Sequence, residues 1–120
     1  MTPCRATFDP AVHAAYVYVR EFAPSEVART EPWLHCEFHL DGDGQWLGFD
    51  VRPRAGLDLG DAVCVRLGGA AVAHSFPWNQ VNADFDAQGC VLGFEVLFDR
   101  TMGMPARLGH LVKSGADPTC

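Results

Sequence analysis

Lysine is nearly absent from this chain. Lys113 is the only one in 120 residues, and nine basic residues in all stand against fifteen acidic ones, for a formal charge of −6. Binding to phosphate backbones needs several closely placed cations, and no Lys/Arg cluster occurs, so no nucleic-acid partner is expected. Long apolar runs are missing too: Asp, Arg, Gly or Pro breaks every one of them well short of the roughly 20 residues a membrane-spanning helix needs. No membrane partner is therefore expected. Met1 to Asp9 has no basic stretch leading into an apolar one, which reads as a cytoplasmic protein without a secretory leader. The five cysteines, Cys4, Cys36, Cys64, Cys90 and Cys120, form no Cys-x-x-Cys pair. They are expected to be free thiols, with Cys36, Cys64 and Cys90 acting as small hydrophobes and no metal site among them.

What the chain does contain is a repeat. A shift of 45 residues lays Val27-Ala28 on Val72-Ala73, Pro32-Trp33 on Pro77-Trp78, Asp41 on Asp86 and Gly44 on Gly89. It also lays Leu47-Gly48-Phe49-Asp50-Val51 on Leu92-Gly93-Phe94-Glu95-Val96. Ten of the twenty-five positions in 27–51 match their counterparts in 72–96. With a small gap, the match continues upstream from His13–Val19 onto Asp61–Leu67.

Each unit reads as strands: 15–20, 26–31, 34–40 and 45–52, then 62–67, 70–76, 79–86 and 90–98, all short, alternating and separated by polar or Gly/Pro breaks. Links this short cannot hold the dozen or more residues of a parallel crossover, so an antiparallel meander is expected. Asp41-Gly42-Asp43-Gly44 and Asp86-Ala87-Gln88-Gly89 share the Asp-x-x-Gly of a tight hairpin turn. A calcium loop does not fit, since its twelfth position would be Arg52 rather than Glu. With a two-residue loop Asp41 pairs with Gly44, Phe38 faces Leu47 and Cys36 faces Phe49. In the second unit Phe85 faces Leu92, Ala83 faces Phe94 and Val81 faces Val96. A three-residue loop with a glycine bulge would instead set Phe38 against Gly48 and Glu37 against Phe49.

A unit of this size buries too little apolar surface to stand alone. The expected fold is mainly β: a single domain over 1–120 in which repeat units of about 6–52 and 61–98, each an antiparallel four-stranded sheet, pack with pseudo-twofold symmetry as a sandwich or barrel. Arg52-Pro53-Arg54-Ala55-Gly56 would connect them. Leu108, Leu111 and Val112 fall at helical spacing after Pro105, so a short helix and tail are expected within 99–120.

Phe8-Asp9-Pro10 leading into Tyr16-Val17-Tyr18-Val19, the strand Val27-Ala28-Arg29-Thr30, and the Asp-x-x-Gly turn running into a Gly-aliphatic-Glu-aliphatic strand over Val81–Leu97 resemble the small prokaryotic proteins of Domain of Unknown Function 2283. Both units carry the pattern. It departs at His13, where the family has Asp, and at Phe49, Asp50 and Phe94, where it has Ile or Val and Glu. The resemblance implies no catalytic residues and no cofactor; it implies a small binding module, antitoxin-like in some relatives. Single-unit relatives would pair as homodimers, whereas this chain would contain its own dimer, alone or as a weak homodimer.

His35, Glu37 and His39 alternate and so share one strand face, with Asp50 across from His35. His35 and His39 lie about 13 Å apart at roughly 3.3 Å per residue, too far for one ion. The row reads as a solvated strand face, the alternative being a metal or small-molecule enzyme site built on His35, Glu37 and Asp50. Asp50 and Glu95 read as outward charges that guard against edge pairing, or else as a carboxylate pair across the pseudo-twofold. Trp33 and Trp78 are expected to pack over Gly48 and Gly93. That leaves Trp46 as the exposed aromatic for a partner. No serine sits in a nucleophile motif and no catalytic constellation is visible. The chain reads as a non-enzymatic interaction module with a protein partner, or failing that as a structural accessory domain.

Overall fold

Residues 1–9 and 11–98 are described by a computed structural model; the helix expected within 99–120 lies outside them. Among the described residues nine strands form: β1 (Arg5–Asp9), β2 (Ala14–Tyr18), β3 (Arg29–Glu31), β4 (Cys36–Leu40), β5 (Trp46–Val51), β6 (Cys64–Arg66), β7 (His74–Trp78), β8 (Val81–Phe85) and β9 (Val91–Leu97). Two antiparallel sheets result, in the orders β1-β2-β9-β8-β3 and β6-β5-β4-β7. They are separate sheets and not a closed barrel. β1 lies ahead of the strands read from the sequence, and it is held at the edge by pairing with β2 from Arg5↔Tyr18 to Asp9↔Ala14.

The apolar residues of alternate positions meet between the sheets. Phe38, Phe49, Val65, Val17, Val81, Phe85 and Phe94 are all buried in one cluster. Phe49 of one sheet meets Phe94 of the other edge-on, with ring centroids 5.3 Å apart. The two phenylalanines bury their ring area against each other, and edge-to-face contact adds to that burial.

The division into two four-stranded halves in sequence order is corrected here. Periodicity tells a strand's face but not its sheet. The chain runs β1–β3 in the five-stranded sheet, β4–β7 in the other, then returns for β8 and β9. It crosses between sheets at 32–35 and at 79–80, beside the two Pro-Trp pairs. Each sheet is therefore built on a central hairpin from one repeat unit flanked by strands of the other.

The hairpin register is corrected too. β4 and β5 pair Cys36↔Val51, Glu37↔Asp50, Phe38↔Phe49, His39↔Gly48 and then Leu40↔Trp46, with a bulge at the last step. β8 and β9 pair Val81↔Val96, Asn82↔Glu95, Ala83↔Phe94, Asp84↔Gly93 and Phe85↔Val91, with a bulge at the same place. Ala83 and Val81 thus face the residues expected, while Phe85 moves on by one. In the first hairpin the pairs lie two residues from the expected two-residue-loop register. The cause is a wider turn closed by Asp41 N–H to the Gln45 carbonyl at 3.0 Å. Its Asp41 carboxylate accepts the N–H groups of Asp43 and Gln45, and the Asp86 carboxylate accepts those of Gln88 and Cys90. Gly44 and Gly89 take φ of 79° and 81°, which glycine alone adopts without steric cost.

A bulge adds one residue and reverses the alternation beyond it. That is why Trp46, expected outside, points inward: it is fully buried, stacked on Phe38 and Phe49 at 5.2 and 5.8 Å. Its indole N–H has no hydrogen-bond partner among the described residues. Among the described cysteines, Cys36, Cys64 and Cys90 are free thiols. No helix among the described residues is long and apolar enough to cross a membrane.

Candidate functional site

On the outer face of the four-stranded sheet, His39 of β4 lies opposite Gly48 of β5 and Ser75 of β7. The imidazole reaches across to both neighbouring strands and is only 7% exposed. Its Nδ1 is 2.8 Å from the Ser75 hydroxyl and its Nε2 3.0 Å from Asp50 Oδ2. Asp50 also sits 3.3 Å from the Arg66 guanidinium. Partial burial raises the Asp50 pKa, but the hydrogen bonds from His39 and Cys64 and the Arg66 charge outweigh it, so the carboxyl lies below its ordinary value. The same bond from Cys64 to Asp50, with desolvation, holds the Cys64 thiol above its ordinary value.

A carboxylate only accepts, so the ring donates Nε2–H to Asp50, and with one ring proton its Nδ1 accepts from the Ser75 hydroxyl. Hydroxyl, imidazole and carboxylate in that order are the parts of a nucleophile chain. A nucleophile needs a substrate cavity as well, and Ser75, His39 and Asp50 line none of three described cavities of 340, 440 and 520 Å3, although Arg66 borders the last of these. The positions also have counterparts 45 residues away on the other sheet. There Thr30 of β3 donates to Asp84 of β8 at 2.5 Å, and the Tyr16 hydroxyl donates to the same carboxylate at 2.6 Å. Burial first, and then this bond to Asp84, push the Tyr16 phenol well above its usual range. In both sheets, then, a central polar side chain is clasped by the hydroxyl of its edge strand, which is a cross-strand brace.

The expected row His35, Glu37, His39 comes apart. Glu37 is exposed on β4 opposite Asp50, His39 is buried and engaged, and His35 precedes the strand, its carbonyl accepting Arg52 N–H at 2.8 Å. Asp50 therefore serves His39 rather than His35. Among the described residues no group of three or more His, Cys, Asp or Glu is placed to hold a metal ion. Asp50 and Glu95 lie on different sheets, bonded to His39 and to Asn82, and form no carboxylate pair. Ser75, Cys64 and Arg66 were not singled out from the sequence, because nothing in its pattern reveals that β6 and β7 flank β5 and β4.

The glycines are not covered by tryptophans. A Cβ on Gly48 would lie 2.0 Å from the Val65 carbonyl oxygen, so β6 backbone fills that space. Gly93 lies under the Tyr16 ring, whose nearest carbon would be 2.5 Å from such a Cβ. A tyrosine on the neighbouring strand therefore does what was expected of Trp78.

The two tryptophans themselves part company. Trp78 is half-buried in β7, packed near Phe38, and its indole N–H donates to the Leu97 carbonyl at 2.9 Å. Trp33 lies in the crossing between sheets, 57% exposed, with φ of 57°. Next to it, His35 and Arg52 are shared by two adjoining cavities, one of 440 Å3 bounded by Pro77, Trp78 and Asn79, the other of 340 Å3 bounded by Leu34, Pro53 and Arg54. They form one groove running past Arg52 at this end of the sandwich. No family model, curated protein or solved structure matches the chain.

Proposed function

We propose that this chain is a non-enzymatic interaction module, a fused pseudo-dimer of two β units that binds a protein partner through the Trp33 end. The observation that carries the reading is the different fate of one motif. Pro77-Trp78 turns its indole into the protein, while Pro32-Trp33 holds a large aromatic ring in solvent on a left-handed backbone that costs a non-glycine residue about 1–2 kcal/mol. Exposed tryptophans are the side chains that most often anchor protein interfaces. Identical pairings 45 residues apart in both hairpins, with strand exchange between the units, support the duplication. The resemblance to Domain of Unknown Function 2283 supports a small binding protein, antitoxin-like in kind, working in the cytoplasm.

A hydrolytic role for the Ser75–His39–Asp50 chain is the second reading, favoured by its hydrogen-bond order. Affinity capture from the native host with wild type and Trp33→Ala tests the first. One stoichiometric partner, lost in Trp33→Ala at unchanged thermal stability, supports it. Equal capture by both proteins contradicts it, as does covalent labelling of Ser75 by a fluorophosphonate, which would favour the hydrolytic reading.

A further inference from the structure

The described arginines of this acidic protein are almost all paired with carboxylates. Among the described residues Arg5 pairs with Glu21, Arg20 with Glu26 and Asp86, Arg29 and Arg54 with Glu31, and Arg66 with Asp50. Arg52 has no carboxylate partner and no side-chain hydrogen bond there. It is exposed, and it lines both halves of the groove together with His35, also without a side-chain partner. Arg52, the one described arginine left without a carboxylate, stands in a concavity that Trp78 also lines, and His35 beside it lies two residues along the chain from the exposed Trp33.

Resting on the interaction reading above, we propose that this groove takes an acidic segment of the partner, with a Glu or Asp carboxylate of an extended peptide bound to the Arg52 guanidinium. Charge complementarity selects the occupant. A chain carrying −6 repels an acidic peptide nearly everywhere else, so an unpaired arginine in a groove gives such a peptide one place to dock. The guanidinium fork matches a carboxylate in two parallel hydrogen bonds, and apolar walls on either side suit the methylene stem of a glutamate. Two adjoining cavities that share Arg52 and His35 offer an extended peptide more to contact than a single small anion could use.

The test is a nuclear magnetic resonance titration of the full isotope-labelled chain with a blocked hexaglutamate peptide, following the Arg52 Nε–H and Trp78 indole signals. Saturable shifts at both are expected, with affinity falling about tenfold in Arg52→Gln and less in Arg52→Lys, and unchanged in Arg5→Gln. Absence of saturable shifts, an equal response to hexalysine, or full affinity in Arg52→Gln would overturn the proposal. So would saturation by sodium acetate at matched carboxylate concentration, which would mark a free-anion site. The titration needs no host partner, so it separates failure of the groove from failure of the interaction reading: hexaglutamate bound with no Trp33-dependent capture removes only the latter.

Discussion

Replacing Gly48 by alanine asks the structure for space it does not have. The added Cβ would lie 2.0 Å from the Val65 carbonyl oxygen and 2.9 Å from its carbon, where ordinary contact begins near 3.4 Å. Both atoms are backbone, so the strain cannot be relieved by a side-chain rotation. β6 must move off β5 by more than an ångström, which breaks the pairing of Gly48 with Arg66, Phe49 with Val65 and Asp50 with Cys64. Gly48 also holds φ of 137°, a conformation that costs a residue with a Cβ about 1–3 kcal/mol. Overpacking adds about 1–3 kcal/mol. Gly48→Ala should therefore lose about 2–6 kcal/mol, much of the net stability of about 5–15 kcal/mol typical of a domain. Gly93→Ala meets the Tyr16 ring and the Val17 carbonyl without a left-handed φ, and should lose only the overpacking part. Gly42→Ala meets nothing within 4 Å and should stay within about 0.5 kcal/mol of wild type. Urea unfolding of the three variants measures the order. A Gly48→Ala protein as stable as Gly42→Ala would refute the reasoning, because it would mean that β6 does not lie on β5.

Phe49→Ala and Phe94→Ala, facing each other at the centre, should each cost about 3–5 kcal/mol in the same denaturation assay, and the double variant less than the sum because the partners share one contact. Burial, helped by the Asp50 charge, pushes the Cys36 thiol up to about 12, while Cys90 is exposed. Iodoacetamide at pH 8 followed by peptide mass spectrometry should label Cys90 in the native protein and Cys36 only after unfolding. The Cys90 N–H, and against some desolvation the Arg20 and Gln88 contacts, hold the Asp86 carboxyl below its ordinary 3.8. The unfolded chain then binds the proton first, so this stabilisation is present above that value and is lost as the pH falls through the lower folded one. Melting temperatures from pH 7 to pH 2 should fall less steeply at the acid end in Asp86→Asn.

The faces of the strands were legible in the sequence wherever alternation ran unbroken: Val81, Ala83, Phe94 and Val96 pair and point as read. Trp46 was not, because one bulge residue inverts everything beyond it and nothing in Gln45-Trp46-Leu47-Gly48 marks the inversion. The repeat showed which residues correspond. It did not show that each central hairpin is flanked by strands from the other half of the chain, since the same apolar pattern packs equally well either way. The polar chain on the outer face was half legible. His39 and Asp50 stood out as chemistry-bearing types, yet Ser75 joins them only through the exchanged β7. Arg52 was read as part of a connector, and its lack of a partner becomes visible only when every other described arginine is seen to have one.

Site-specific photo-crosslinking in the native host tests the interaction reading most directly. A benzophenone amino acid placed at position 33 should give one discrete adduct with a single protein, while the same probe at position 72, where Val72 is 50% exposed away from the groove-lining residues, should give none. Equal crosslinking at both positions, or none at position 33, would contradict the claim that the Trp33 end is a binding surface.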